Sequence, residues 1–379
     1  MFIVIGLIFL ALSVATHYYV GRRIFSWLKL RFPKIKKVIY WPIYFSFIGS
    51  FIVSNFISVY WIAKPLAVIG YYWLGLFAYL LMALLIVELI RLLSWIRIVP
   101  KAFVQSKKVK QRTGTIIAIL IAITLIYGSV HTKNITVATY EVEIDKSVDD
   151  LSELNVVMMS DLHFGYMYDV KAAEKWVEKV NALNPDIVLI PGDIFDGDMH
   201  TFANQKETAA ALRALDTTYG VFASLGNHDA GPHFDEMRAF CKDAGFILLE
   251  DEAMPIDDRF YVAGMKDASP IGAQGTTRQP IADVVREVDH KKPILLLDHQ
   301  PNFLDEAKNA GVDLVVSGHT HRGQIFPGRF LTNQLNEANY GYYQKDTLHA
   351  IVTSGIATWG PPIRIGTDAE IVQIQIRFK

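Results

Sequence analysis

A single cysteine, Cys241, in 379 residues excludes an intrachain disulfide framework and any metal cage built from thiolates. Standing alone, it reads as a small buried apolar side chain. Charge is also scarce: 20% of residues are charged against 51% hydrophobic, and the mean hydropathy is +0.25. That is more apolar than a soluble enzyme should be. The net charge of −1 averages a basic first third against a more acidic remainder. It carries no message about nucleic acid, and none is expected as a partner.

The apolar excess lies almost entirely before residue 130. A bilayer core about 30 Å thick needs roughly 20 apolar helical residues. Four stretches come close, at about residues 1–20, 38–63, 66–90 and 115–130, so 1–130 reads as a transmembrane region. Aromatic residues such as Tyr18, Tyr19, Tyr40, Trp41, Tyr60 and Trp61 cluster near span ends, as interfacial belts do. Lys64-Pro65 separates the second and third spans, which should form a tight hairpin. A cleaved signal peptide would carry its positive charges before the first apolar run; here they follow it. The fourth stretch, the shortest, also has the length of a buried core helix, and its flanking charges favour a span.

Two loops are strongly basic, one holding Arg22, Arg23, Lys29, Arg31, Lys34, Lys36 and Lys37, the other Arg91, Arg97, Lys101, Lys107, Lys108, Lys110 and Arg112. The positive-inside rule puts both in the cytoplasm. Binding of these loops to anionic membrane lipids predicts the same side. Four spans then place everything after about His131 outside the cytoplasm, as the extracytoplasmic part of a multi-pass cell-membrane protein.

From about Thr136 the pattern changes to short apolar strands, each followed by ligand-type residues. Residues 155–160 lead to Asp161-Leu162-His163, and 186–191 to Gly192-Asp193. Residues 221–225 lead to Gly226-Asn227-His228-Asp229, 294–297 to Asp298-His299, and 312–316 to Ser317-Gly318-His319-Thr320-His321. Helical periodicity fills the gaps, most clearly from Val170 to Leu183. This alternation predicts an α/β domain over 136–379, with its site beyond the carboxyl ends of the strands. A histidine after a strand is ordinarily a satisfied loop residue. Seven oxygen and imidazole ligands at successive strand ends (Asp161, His163, Asp193, Asn227, His299, His319 and His321) point instead to a clamp for two cations. Asp193 has two oxygens with which to bridge them, and such a pair holds a hydroxide and stabilises charge in an in-line phosphoryl displacement.

The ordered set Asp161-x-His163, Gly192-Asp193-x-x-Asp196, Gly226-Asn227-His228-Asp229, His299 and Gly318-His319-Thr320-His321 resembles the calcineurin-like metallophosphoesterases across about residues 155–325. The downstream Gly355 and Pro361-Pro362-Ile363-Arg364 are similar to the membrane-associated bacterial branch of that family. The resemblance implies a four-layer αββα sandwich with a dinuclear site. It assigns Asp161, His163, Asp193 and His321 to one metal, and Asp193, Asn227, His299 and His319 to the other. It makes His228 the general acid, with Asp229 orienting it, and leaves Asp196 outside the ligand set. Arg322 stands where this branch usually carries glycine. Two readings of it are open, a phosphate grip at the rim or a charge turned to solvent or a local carboxylate; Arg364 is in the same position.

The expectation is therefore a membrane-anchored, dinuclear-metal phosphoesterase acting on a phosphodiester, phosphomonoester or pyrophosphate. Its two divalent ions would be manganese, zinc or iron, and a lipid-linked or envelope-borne substrate suits its tether. A membrane sensor or transporter with the esterase as a regulatory module is the competing reading. Transport would need ionisable residues within the spans, and only His17 and Glu88 stand near span ends.

Overall fold

The computed structural model describes residues 2–269 and 277–379, with side chains from residue 5 onward. The chain falls into two compact units, Met1–Tyr127 and Gly128–Lys379.

The first unit begins with α1 (Phe2–Arg31), α2 (Lys37–Ser54) and α3 (Tyr60–Trp95), followed by a short α4 (Lys101–Gln105) and α5 (Lys107–His131). Four of these, α1, α2, α3 and α5, are long and apolar enough to cross a membrane. Met1, where the first span was expected to start, lies outside the described residues. Tyrosines of α2 hold α1 through its backbone: Tyr40 Oη donates to Gly21 O at 2.7 Å and Tyr44 Oη to His17 O at 2.8 Å. The turn between the second and third spans falls at Asn55–Val59 rather than at Lys64-Pro65, which lies inside the start of α3. Local hydrogen bonding explains the shift. Ser54 Oγ and Asn55 Nδ2 both donate to Phe51 O, at 2.7 and 3.1 Å, and so cap a carbonyl that a continuing helix would use. Glu88 accepts from Tyr19 Oη at 2.6 Å and from Arg91 at 2.9 Å, and lies 3.2 Å from Arg23.

The second unit is built on two six-stranded sheets. The first contains β1 (Ile135–Ile144), β2 (Glu153–Met158), β3 (Ile187–Pro191), β4 (Val221–Ser224) and β5 (Phe246–Leu248). The second contains β6 (Glu252–Ile256), β7 (Phe260–Gly264), β8 (Ile294–Leu297), β9 (Leu314–Ser317), β10 (Gly341–Lys345) and β11 (Leu348–Val352). The last strand, β12 (Ala369–Phe378), returns to the first sheet between β1 and β2. Strands β2 to β5 run parallel, as do β7, β8, β9 and β11; β12 is antiparallel to β2.

Continuous β-branched and aliphatic runs such as Ile187-Val188-Leu189-Ile190 suit strands covered on both faces. One core cluster, with Val156, Met158, Leu189, Phe222, Leu295, Val316 and Val372, fills the space between the sheets. The outer face of the first sheet is covered by α6 (Val170–Asn181), α7 (Gln205–Leu212) and α8 (Phe234–Asp243). Asp169 caps α6 by accepting from Lys171 N, and Ala173, Trp176, Val177 and Val180 form its buried stripe. The second sheet is covered by α9 (Ile281–Val284) and α10 (Leu304–Asn309). A further helix, α11 (Arg329–Leu335), follows the second-sheet strand β9 and buries none of its side chains. The result is the αββα layering, and it brings the carboxyl ends of β2, β3, β4, β8 and β9 to one edge.

Candidate metal centre

All seven candidate ligands sit on loops leaving those five strands, and the backbone there is strained. Asp161, His163, Asp193, His319 and His321 have φ between 45° and 70°. Left-handed backbone costs a non-glycine residue energy, and it persists where surrounding structure fixes it for function. Gly226 makes the crowding possible: a Cβ on it would lie 2.2 Å from Asp193 Oδ1.

The side chains form two groups. In one, Asp161, His163 and His321 offer ligand atoms within 4.8 Å of one another. His163 Nε2 and His321 Nε2 are 3.1 Å apart, and His321 Nε2 is 3.4 Å from Asp161 Oδ1. In the other, Asp193, His299 and His319 do the same. Asn227 Oδ1 joins them at 2.8 Å from His319 Nδ1 and 3.2 Å from His299 Nε2. Asp193 Oδ2 stands between the groups, 3.1 Å from His299 Nε2 and 3.9 Å from His163 Nε2.

The donors fit divalent cations. Asp161 Oδ2 is buried with no hydrogen-bond partner among the described residues, an arrangement that costs free energy unless an ion supplies one. Two imidazole nitrogens 3.1 Å apart need a proton or a cation between them. Burial, reinforced by His163, holds the His321 imidazole well below its ordinary pKa. Burial and then His299 push His319 down to about 4. Both therefore present a lone pair at neutral pH. Burial opposes ionisation of Asp193, but His299, through its charge and a hydrogen bond, followed by His228 and His163, holds that carboxylate well below the usual range. His299 is raised in turn, burial being outweighed by Asp193. Its other nitrogen, Nδ1, lies 2.9 Å from Pro191 O, which fixes the ring and its tautomer. Asp196 Oδ1 faces His163 Nδ1 at 3.6 Å, the nitrogen turned away from the other ligands.

A metallophosphoesterase is what this edge describes, and comparison with known proteins agrees. The model of the calcineurin-like phosphoesterase family matches residues 154–323. An uncharacterised metallophosphoesterase of Campylobacter jejuni is 31% identical over 267 residues, 69% of each chain. One from Aquifex aeolicus is also 31% identical, over 67% of this chain and 96% of its own. The chain belongs to the calcineurin-like metallophosphoesterases. It is a metal-dependent phosphoesterase, and its four long apolar helices associate it with a membrane. A zebrafish relative named as a transmembrane protein with a metallophosphoesterase domain is 28% identical, over 69% of this chain and 62% of its own.

Two site residues of the metallophosphoesterase, Asp229 and Arg364, behave differently from the sequence expectation. Asp229 makes no hydrogen bond to the His228 ring. Its Oδ1 accepts from Phe195 N at 2.8 Å, and its Oδ2 from Ile194 N at 3.1 Å and Gly226 N at 2.8 Å. It ties the loop after β3 to the loop after β4, and so positions Asp193 against Asn227. Arg364 is fully buried, which corrects its reading as a substrate contact. Its guanidinium donates to Ser354 O, Gly355 O, Ala357 O, Asp368 O and Thr367 Oγ1. Arg322 lies with its guanidinium carbon 4.1 Å from the centroid of the Tyr340 ring, a cation–π stack.

Trp359 was not legible as a site residue. Its ring centroid is 5.9 Å from that of His228, and it is held by reciprocal bonds with the Gln324 amide. The only signal was an aromatic residue in a glycine- and proline-rich turn. Arg278 was missed as well: it grips Asp298 with two bonds, at 2.7 and 2.6 Å, beside His299.

Proposed function

We propose that this metallophosphoesterase hydrolyses a phosphoester or pyrophosphate carried by a lipid or another cell-envelope molecule, with its catalytic domain outside the cytoplasm. The position of Asp193 Oδ2 between two groups of ligands carries the two-ion reading. Asp161, His163, Asp193 and His321 would hold one ion, and Asp193, Asn227, His299 and His319 the other. Manganese, zinc and iron all suit this set of carboxylate, imidazole and carboxamide donors. When bound, such a pair supplies the Lewis acidity that activates water and offsets charge on the phosphoryl oxygens.

The chain supplies the remaining chemistry. His228 is half-buried at the rim, edge-on to His163 with ring centroids 5.1 Å apart. Among the described residues its ring has no hydrogen-bond partner, so its proton is available to a leaving-group oxygen. Burial lowers its pKa, and the carboxylates of Asp193 and Asp196 pull the other way. The strained backbone keeps the ligands in place with little reorganisation as the reaction proceeds.

The tether supports the substrate class, because a domain held at a membrane meets lipid headgroups at high effective concentration. In the membrane unit, Glu88 is engaged by Tyr19, Arg91 and Arg23, which suits an anchor better than a transport path. The test is turnover by the purified full chain with added manganese on lipid phosphates, lipid pyrophosphates, nucleotides, and aryl mono- and diesters. Preference for the lipid-borne esters is expected; preference for nucleotides would sink the lipid assignment. A reporter fused after Lys379 should be active only on the extracytoplasmic side, and a cytoplasmic signal would overturn the topology.

A further inference from the structure

Helix α11 turns its large apolar side chains outward rather than toward the protein. Thr332, and Asn336 just past the helix end, are half-buried, and the exposed Asn333 side chain accepts from the Asn339 amide. Its apolar residues face outward, with Phe330 56%, Leu331 61% and Leu335 67% exposed. At helical spacing these three fall within one arc of the surface, which Gln334 shares. Phe326, packed 5.9 Å from Phe330 between ring centroids, extends this face as a lip, and Trp359, 54% exposed and bonded to Gln324 two residues before Phe326, stands beside His228. Arg329 lies over both phenyl rings, 5.6 Å from Phe326 and 5.1 Å from Phe330. An apolar face with a cation at its margin is the pattern of a helix lying in a membrane interface.

The chain's own path argues for a bilayer as what covers this face. The last turn of α5 is seated on the loop that carries the lip. A Cβ on Gly128 would lie 2.8 Å from Ile365 Cδ1, Gly128 O accepts from Arg364 N at 3.2 Å, and His131 Nε2 is 2.9 Å from Asp368 Oδ1. Ile365 is in turn bridged to Ile325, and Phe326 N donates to Ile365 O at 2.9 Å. The point where an apolar helix ends is thus bonded directly to the segment that presents Phe326, Phe330 and Leu331.

We propose that α11, with Phe326 and Trp359, docks into the headgroup boundary of the bilayer that α5 leaves, so that the rim of the metal centre lies on the lipid surface. The inference rests on the membrane reading of α5 and is independent of which ester is cleaved. Trp359 makes the consequence functional, since it is bonded to the segment that leads into Phe326 and is a neighbour of the candidate acid.

The test uses the full chain in a Cys241→Ala background, reconstituted in vesicles of phosphatidylethanolamine and phosphatidylglycerol. Spin labels are placed singly through Leu331→Cys, Leu335→Cys or, as a control on the solvent side of α8, Lys242→Cys. Collisions with dissolved oxygen and with a water-soluble nickel chelate are then compared. Labels at 331 and 335 should favour oxygen and the label at 242 nickel. Adding Phe330→Glu should move the label at 335 toward nickel, while turnover of a soluble aryl diester stays unchanged. Nickel access at 331 and 335 equal to that at 242 would overturn the proposal. So would shielding from both reagents, which would mean that a second copy or another protein covers the face.

Discussion

The Asp193 carboxylate accepts the backbone N–H of His228 at 2.9 Å, so the ligand shared by both groups also fixes the turn that carries the candidate acid. Asp193→Ala should therefore empty both ion positions and abolish turnover together. His228→Ala should leave metal content intact and reduce turnover by about 10²- to 10⁴-fold, the usual range for losing a general acid. Metal analysis beside steady-state kinetics on an aryl diester separates the two. Full activity in His228→Ala would remove the acid assignment.

Asp229 acts through backbone, and its substitutions should show it. An asparagine keeps one acceptor oxygen where the carboxylate offers two, so at least one of the N–H groups of Ile194, Phe195 and Gly226 loses its partner. Each buried orphan costs about 1–3 kcal/mol. Asp229→Asn should lower the thermal midpoint and weaken metal binding, because the loops bearing Asp193 and Asn227 are no longer tied. A residue that served only to orient His228 would depress turnover with metal affinity unchanged, and that result would contradict the geometry.

The same carboxyl gives a pH signature. Burial first, then the Asp193 carboxylate, raises Asp229 from 3.8 to about 7. An acid whose pKa is higher folded than unfolded holds its proton more tightly in the folded state, so its contribution is complete below the unfolded value and is lost as pH rises. In chelator, the stability difference between wild type and Asp229→Asn should therefore shift against the wild type as pH rises from 3.8 to about 7. Asp193, held low, contributes with the opposite sign and only at more acidic pH. Thermal melts of the detergent-solubilised full chain across this range are the measurement, and a pH-independent difference would refute the assignment.

How far the site was legible follows from what sequence order encodes. The α/β pattern and the seven candidate ligands were readable because each ligand follows a short apolar strand, and strand ends converge in an α/β fold; the αββα layering was legible only through the family resemblance. The turn between the second and third spans was misplaced because proline is an obvious breaker, whereas the competing bonds of Ser54 and Asn55 to Phe51 O leave little trace in composition. Trp359 and the outward face of α11 were invisible for a related reason. Which side of a short helix meets the protein is decided by tertiary partners such as Asn339, not by periodicity.

Arg364 shows the limit of assigning roles by charge. An arginine beside a phosphate site invites a substrate reading, yet this one is fully buried and spends its donors on backbone carbonyls of Ser354, Gly355, Ala357 and Asp368. The first three of those carbonyls belong to the turn that brings Gly355 against Asp161, where a Cβ would lie 2.8 Å from the Asp161 Cβ. The guanidinium thus supports one side of the metal centre from behind. Lysine has three donors at a single point in place of a planar fork, so it cannot reach all of these acceptors. Bonds from a charged donor are worth about 1.5–3 kcal/mol each, and losing two should cost Arg364→Lys on the order of 3 kcal/mol or more in stability. The residual folded enzyme should bind metal less tightly at the Asp161 side, with KM for a soluble aryl diester little changed. A large rise in KM with stability and metal content intact would restore Arg364 as a substrate residue.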